Sequence, residues 1–238
     1  MTDSNRSYCY PGDELSLFAH AQNWKAYFNK QLRPYIRGRV AEIGAGNGST
    51  TEVLSKNHHE IWYAVEPDHT LIAEISKKKA SGRLPKTIME VNGTIRSLQV
   101  IEPVDTILYI DVLEHIEDDL QEIRQAASQL RCGGNLIVLS PAYQSLFTAF
   151  DGAIGHYRRY SLRQLRALSP PHVKFRSGFY LDSIGVCTSV MNRFFLKRYP
   201  SLSDVRFWDR FLIPCSVVID KVIGYRIGRS VIAVWEHE

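Results

Sequence analysis

The fold of this chain follows from residues 40–49, which read VAEIGAGNGS. The segment 40–43 predicts a short buried strand, and three glycines alternating with small residues predict a tight turn. A helix is predicted after the turn, and the first amides of a helix have no partner within it. The stretch therefore predicts that a nucleotide-like ligand lies against the backbone at the end of a strand.

The composition favours one elaborated α/β domain spanning residues 1–238, with 45% hydrophobic residues to build its core. A net charge of +4 is mild for this length and does not demand a nucleic-acid partner. The N-terminus is polar, so no signal peptide is expected, and no apolar run approaches the roughly 20 residues that span a bilayer. The cysteines are widely spaced, which favours a reduced, cytoplasmic protein. They are Cys9, Cys132, Cys187 and Cys215.

Seven segments are predicted to be strands, and helical segments alternate with them. The predicted strands are 39–43, 61–65, 87–91, 105–111, 135–139, 173–180 and 230–236. This alternation predicts right-handed βαβ units and a parallel sheet. Ligands of such sheets bind beyond the carboxyl ends of the strands. The residues expected there are Gly44, Glu66, Asn92, Asp111 and Pro141.

Two helical regions are expected beside the sheet. Asp13 is expected to cap one N-terminal helix that extends to Phe28, within a helical cap over residues 1–35. An aromatic and apolar insertion, 182–228, separates the last two strands and is expected to form a helical lid. A further helix after residue 116 is expected to end at Gly133 and Gly134.

The charges around the turn indicate which nucleotide fits. A dinucleotide turn needs a third glycine where this chain has Ser49, and residues 40–55 contain no Lys or Arg for a phosphate. Instead Glu42 precedes the turn, Glu66 lies 20 residues beyond Gly46, and Asp111 ends another strand. Carboxylates suit a ligand with ribose hydroxyls and positive charge. The pattern predicts a small cationic nucleoside.

These motifs resemble those of the class I S-adenosylmethionine-dependent methyltransferases, over about residues 36–142. EIGAGNG at 42–48 resembles the first signature of that family, Glu66 the second, and DVLEH at 111–115 the fourth. The resemblance implies a Rossmann-like, mostly parallel seven-stranded sheet in the order 3-2-1-4-5-7-6, with the seventh strand antiparallel. It also implies S-adenosylmethionine as the cofactor and S-adenosylhomocysteine as its product.

The resemblance assigns the cofactor residues one by one. Gly44, Ala45 and Gly46 would contact the methionine part, Glu42 would orient its amino group, and Glu66 would hold the ribose. The remaining contacts would be Pro67, Asn92, Gly93 and Thr94 at the adenine, and Asp111 and Leu113 along the methyl-donor channel. Many relatives have an aspartate in the adenine turn, and here Asn92 or Thr94 must replace it.

The acceptor is less clearly encoded. DVLEH differs from the D/N-P-P-Y/F pattern of enzymes that methylate bases or glutamine amides, and is similar to that of small-molecule methyltransferases. His156, in the stretch GHYRRY at 155–160, is the expected base or substrate contact, with His115 as its rival. Arg158 and Arg159 serve either the site or pairing with acidic residues. A metal-dependent catechol enzyme needs an Asp with a later Asp-Asn pair as oxygen ligands, and no such pair follows Asp111, so no metal is expected.

The expected reaction is in-line methyl transfer to an oxygen or nitrogen of an apolar or aromatic small molecule, as in specialised metabolism. The residues expected to contact that molecule are Trp24, Tyr143, Tyr157, Tyr180 and Trp208. No nucleic acid and no integral membrane contact are expected, and the chain would be a monomer or a homodimer. Two alternatives remain open: an RNA or protein methyltransferase, and a non-catalytic partner subunit with this fold.

Overall fold

A seven-stranded sheet forms the centre of the computed structural model, which describes residues 14–100, 102–196 and 199–238. The strands are β1 (Arg39–Ile43), β2 (Ile61–Glu66), β3 (Ile88–Asn92), β4 (Val104–Ile110), β5 (Leu130–Pro141), β6 (Val173–Leu181) and β7 (Ser230–His237). Their order in the sheet is 3-2-1-4-5-7-6. β7 pairs antiparallel with β5 and β6, whereas the pairs among β1 to β5 are parallel. The predicted fold class and strand order are confirmed.

Helices pack on both faces of this sheet. They are α1 (Glu14–Phe18), α2 (Gln22–Leu32), α3 (Thr51–Leu54), α4 (His69–Ala80), α5 (Asp119–Ala127), α6 (Ala149–Ala153), α7 (Leu162–Ala167), α8 (Ser183–Met191), α9 (Leu202–Phe207) and α10 (Ile213–Val222). Because strand side chains alternate, Trp62 of β2 packs in one core with α2, α4 and α10, and Trp235 of β7 packs in another with α5 and α7. Both tryptophans are fully buried.

The N-terminal region contains two helices instead of the single helix expected. α1 ends at Phe18 and α2 begins at Gln22. The amides of Asn23 and Trp24 donate to the carboxylate of Asp209, at 3.1 and 2.8 Å. Asp209 lies in the insertion between β6 and β7, so a residue 185 positions away determines where α2 begins. Asp13, the expected cap, lies outside the described residues.

The glycine pair Gly133 and Gly134 does not end a helix, contrary to expectation. α5 ends earlier, at Ala127, with Ser128 as its C-cap, and both glycines lie inside β5. β5 begins at Leu130 because that residue pairs with Val104 of β4, and the register then shifts before Asn135 pairs with Thr106. The pair therefore permits an irregularity at the start of a long strand.

The helices α8, α9 and α10 occupy the interval between β6 and β7, where the sequence predicts an insertion. Two π-helical segments, Asn192–Leu196 and Trp208–Leu212, interrupt them. The insertion contacts α2, since Tyr27 donates a hydrogen bond to Asp220 of α10 at 2.8 Å. Its closure as a lid stays a prediction. Within the described residues, no helix is both long enough and apolar enough to cross a membrane.

Three of the four cysteines fall in the described part of the chain. Cys132, Cys187 and Cys215 are exposed free thiols. Cys9 lies outside the described residues, so the expectation of a fully reduced protein is untested for that residue.

Candidate active site

A cavity of about 1020 Å³ opens at the carboxyl ends of the parallel strands. It is lined by most of the residues that the sequence predicts for a site. These are Trp24, Glu42, Gly44, Ala45, Gly46, Glu66, Pro67, Gly93, Thr94, Asp111, His115, His156 and Trp208. The cavity is thus continuous from the glycine turn to the histidines and the aromatic insertion.

The glycine turn has the conformation that its sequence requires. Gly44, Gly46 and Gly48 have φ angles of 68°, 54° and 72°, in the left-handed region that favours glycine. A Cβ on Gly44 would lie 2.5 Å from a methyl carbon of Val112, so the two loops approach too closely for any side chain. At Gly44 and Gly46 the turn therefore presents only backbone to the cavity.

Glu66 is the last residue of β2, and both of its carboxylate oxygens are held by backbone amides. Gly46 donates to one oxygen at 2.9 Å and Asp68 donates to the other at 3.0 Å. Burial raises the pKa of this carboxyl group, and the two amides oppose that shift. The side chain is 4% exposed and lines the cavity in a fixed orientation.

Glu42 and Lys25 place side chains of opposite charge in the cavity wall beside the glycine turn. The indole of Trp62 donates to Glu42 at 2.9 Å, and burial raises the pKa of Glu42 to about 7. The Lys25 ammonium donates to Ser49 Oγ at 2.9 Å, and burial lowers the pKa of Lys25 to about 8. The sequence does not single out Lys25. This residue lies on α2 among apolar residues, and only tertiary packing brings it to the glycine turn.

Two predicted cofactor residues lie outside the cavity lining. The amide of Asn92 donates to the carbonyls of Glu66 and Pro67, at 2.9 and 3.0 Å, and so stabilises the adjoining turn. Leu113 is fully buried in the core on the α5 side of the sheet. Asp111 has a φ of 54°, and the chain turns there so that Val112 instead of Leu113 lines the cavity.

The two candidate bases lie side by side. The rings of His115 and His156 are 4.5 Å apart between centroids and nearly perpendicular. Nδ1 of His156 lies 3.1 Å from a carboxylate oxygen of Asp151. Burial and then the neighbouring imidazole lower the pKa of His115 to about 4. The sequence predicts both histidines but offers no pattern that pairs them.

Asp151 is the buried acceptor that organises this corner. Thr148 donates to it through backbone and hydroxyl, and Arg159 donates through Nε and Nη2 at 2.8 and 2.9 Å. Burial works against ionisation, yet the hydrogen bonds from His156 and Arg159 hold the pKa of Asp151 well below its usual range. Asp151 is therefore an ionised carboxylate that orients His156.

The stretch 155–160 fastens the loop that follows β4. Arg158 pairs with Asp119 at 2.7 Å, and Tyr160 donates to the same carboxylate at 2.7 Å. The Tyr157 amide donates to the carbonyl of Glu114 at 2.8 Å. Arg158 and Arg159 thus pair with acidic residues, which was one of the two alternatives left open by the sequence.

Glu114 is a site residue that the sequence does not single out as reactive. It is fully buried, and Ser140 donates to its Oε2 at 2.9 Å. Its Oε1 is buried without a hydrogen-bond partner, 3.9 Å from Nε2 of His156. Burial, reinforced by the charge of Asp111, raises the pKa of Glu114 well above its usual range.

Three of the expected acceptor contacts do not lie in the cavity lining. Tyr143 and Tyr180 stack on each other, with ring centroids 5.2 Å apart, and the Tyr180 hydroxyl accepts from the Leu162 amide. Tyr157 is 52% exposed, beside the guanidinium of Arg158. Only Trp24 and Trp208 of the five expected residues line the cavity, with ring centroids 5.9 Å apart.

Comparison with known proteins agrees with this architecture. Residues 41–136 match a family model described as a methyltransferase domain. An uncharacterized methyltransferase of Bacillus mycoides (strain KBAB4) is 29% identical over 129 residues, which are 54% of this chain and 58% of that protein. The chain thus matches less than two thirds of the length of this curated relative.

Solved structures share the fold at low sequence identity. An S-adenosylmethionine-dependent methyltransferase from Clostridium acetobutylicum is 12% identical, with a TM-score of 0.56 over 91% of this chain and 92% of that one. The [4+2]-cyclase SpnF is 13% identical, with a TM-score of 0.59 over 89% of this chain and 80% of that one. The chain therefore has the fold of the class I S-adenosylmethionine-dependent methyltransferases. The match of residues 41–136 to a methyltransferase-domain model agrees with the resemblance that the sequence motifs predict.

Proposed function

We propose that this chain transfers a methyl group from S-adenosylmethionine to an oxygen or nitrogen of an apolar or aromatic small molecule. The observation that carries the proposal is the fixed carboxylate of Glu66, which shares one cavity with the Glu42 and Lys25 charges and with an aromatic wall. Glu66, Glu42 and Lys25 are complementary to the polar groups of the cofactor. The aromatic wall is complementary to an apolar acceptor.

The residues of the turn suit the cofactor chemically. Glu66 is held by two amides, which leaves acceptor capacity on each oxygen for ribose hydroxyls. Glu42 and Lys25 would bind the ammonium and the carboxylate of the methionine part, respectively. Gly93 and Thr94 border the cavity where the adenine would lie. These assignments follow the charges of the site and need no phosphate ligand.

The acceptor would lie against the aromatic wall made by α1, α2 and the insertion. Phe18, Trp24, Phe28, Phe207 and Trp208 line the cavity there. Small-molecule sites are mostly apolar with a few placed polar groups, which describes this half of the cavity. The wall supports an apolar or aromatic acceptor and argues against a polyanionic one.

S-adenosylmethionine, when bound, supplies a methyl group activated by its sulfonium. The protein would align the nucleophile of the acceptor with this methyl group and remove the proton of the nucleophile. In the transfer, a bond would form between the nucleophile and the methyl carbon, and the carbon–sulfur bond would break with its electrons left on sulfur. Alignment contributes up to roughly 7–11 kcal/mol. We assign the removal of that proton to Nε2 of His156, because Nδ1 contacts Asp151.

Calorimetry with S-adenosylmethionine and S-adenosylhomocysteine tests the proposal. We expect one molecule of either ligand to bind per chain, and Glu66→Ala to weaken both. The exposed Glu60, replaced by alanine, is the matched control. A folded chain that binds neither ligand would contradict the proposal.

The fold does not settle the reaction, as the similar fold of a [4+2]-cyclase illustrates. Cofactor binding must therefore be followed by transfer of a labelled methyl group from S-adenosylmethionine into extracts of small molecules, RNA and protein. Label in small molecules supports the proposal. Label confined to RNA or protein, or no label from a chain that binds the cofactor, would favour the two alternatives.

A further inference from the structure

One corner of the cavity gathers three side chains with metal-binding atoms. Glu114, His115 and His156 each offer one ligand atom, and these atoms all lie within 4.8 Å of one another. All three residues line the cavity. Two imidazoles and one carboxylate are a common donor set for divalent transition metals. The cluster does not include the glycine turn or Glu66, so the cofactor residues do not account for it.

Both histidine rings have a hydrogen-bonding partner outside the cluster. Nδ1 of His156 contacts the Asp151 carboxylate at 3.1 Å, and the ring of His115 hydrogen-bonds to the carbonyl of Gly155. Histidines that bind metals almost always donate their second N–H to a carboxylate or carbonyl, which fixes the tautomer. For His156 this leaves Nε2 available as a ligand atom, at 3.9 Å from Oε1 of Glu114.

The carboxylate of Glu114 is incomplete without a further partner. Ser140 satisfies Oε2, whereas Oε1 is buried and has no hydrogen-bond partner. A buried oxygen without a hydrogen-bond partner is destabilising, and more so when it is charged. The separation of 3.9 Å is too long for a hydrogen bond to His156. It is close to the separation of about 3.4 Å that two ligands have when each is roughly 2.0–2.1 Å from a tetrahedral metal.

We propose that Glu114, His115 and His156 bind a divalent transition-metal ion, such as Zn²⁺, in the wall of the cavity. Three protein ligands leave at least one coordination position open toward the cavity, as in catalytic metal sites. Asp111 lines the same wall and adds negative charge that favours a cation. The proposed site differs from the expectation of no metal, because that expectation considered only the oxygen ligands of an Asp and a later Asp-Asn pair.

The open position would bind the oxygen or nitrogen of the acceptor. A metal-bound hydroxyl loses its proton at lower pH than a free one, so the cation would take over the proton removal assigned to His156 in the metal-free protein. This role rests on the proposed methyl transfer. Metal binding itself does not, because it is measured without cofactor or acceptor.

The test is metal titration of the tag-free chain after removal of metals with a chelator. Zn²⁺ is titrated by calorimetry, and Co²⁺ is followed by its visible absorption. We expect one ion per chain, at least tenfold weaker binding in His156→Ala and in Glu114→Gln, and unchanged binding in the control His69→Ala, whose side chain is exposed at the start of α4. Asp151→Asn leaves all three proposed ligands in place but removes the charge that orients His156 and pairs with Arg159, and it should weaken binding about 10–100-fold.

Two controls keep the result interpretable. Near-ultraviolet bands from thiolate ligation would reveal cobalt on the exposed Cys132, Cys187 or Cys215, and would overturn the assignment. Circular dichroism and binding of S-adenosylmethionine report whether each variant is folded. Absence of stoichiometric binding, or equal binding by His69→Ala, His156→Ala and Glu114→Gln, would also overturn the proposal while leaving the cofactor site intact.

Discussion

The amide of Gly46 donates a hydrogen bond to the carboxylate of Glu66 at 2.9 Å, across 20 residues of sequence. The first signature of the fold is thus hydrogen-bonded directly to the second. The glycine turn at the end of β1 and the acidic end of β2 form one rigid unit, so a change at Glu66 should affect both ligand binding and the turn.

Glu66→Gln should weaken S-adenosylmethionine binding roughly 10–100-fold. The glutamine side chain has one acceptor oxygen fewer than Glu66 and no charge. Hydrogen bonds to charged groups contribute about 1.5–3 kcal/mol each, and this loss corresponds to the expected change in affinity. Calorimetry gives the affinity, and thermal unfolding gives the contribution to the turn. The same change at the exposed Glu60 should alter neither, and an unchanged affinity in Glu66→Gln would remove Glu66 from the cofactor site.

Cofactor affinity should rise with pH between about 5.5 and 7.5. The pKa of Glu42 is raised to about 7 by burial, so below that pH the group is mostly neutral and cannot pair with the cofactor ammonium. The loss should approach tenfold per pH unit well below 7. Glu42→Gln should bind more weakly at pH 7.5 with a flatter pH profile, and a profile identical to that of the wild type would exclude Glu42.

The same pKa shift predicts the direction of a stability change. A carboxyl group whose pKa is raised in the folded state stabilises the fold at low pH, and this contribution is lost as the pH rises through the folded value. The Glu42 contribution should therefore decline from its unfolded pKa of about 4.3 up to about 7. Thermal unfolding of the ligand-free chain should show this slope, and Glu42→Gln should lack it.

His156→Ala should leave cofactor binding intact and lower turnover about 10²–10⁴-fold. The ring contacts Asp151 and His115, neither of which is assigned to the cofactor. Turnover is measured by label transfer once an acceptor is found, and calorimetry measures the cofactor. His69→Ala is the control, and full turnover in His156→Ala would show that neither proton transfer nor metal binding at this ring is needed.

Asp209→Ala should destabilise the chain and weaken cofactor binding together. It removes the acceptor for the first amides of α2, which costs about 0.5–2 kcal/mol for a helix cap, and α2 carries Lys25. Asp118→Ala removes the N-cap of α5, away from the turn, and is the matched control. Both should lower the melting temperature by a few degrees, and only Asp209→Ala should change cofactor affinity.

Local sequence predicts the glycine turn, the strands and the carboxylates at the edge of the sheet. The glycine turn requires left-handed φ values, which only glycine adopts without cost. The near-continuous apolar segments are typical of parallel strands that are buried on both faces. Because parallel strands end at one edge of a sheet, Glu42, Glu66 and Asp111 could be expected together before their contacts were known. The error at Gly133 and Gly134 arose because β5 starts through pairing with β4, which no local pattern contains.

The sequence by itself thus determined the sheet, the turn and the carboxylate rim, because these depend on backbone conformation and short-range periodicity. Tertiary structure alone decided that Lys25 reaches Ser49, that Asp209 starts α2, and that Glu114 keeps an unpartnered oxygen beside His156. Such contacts join residues tens to nearly two hundred positions apart. They depend on how whole helices and loops pack, which local residue preferences do not encode.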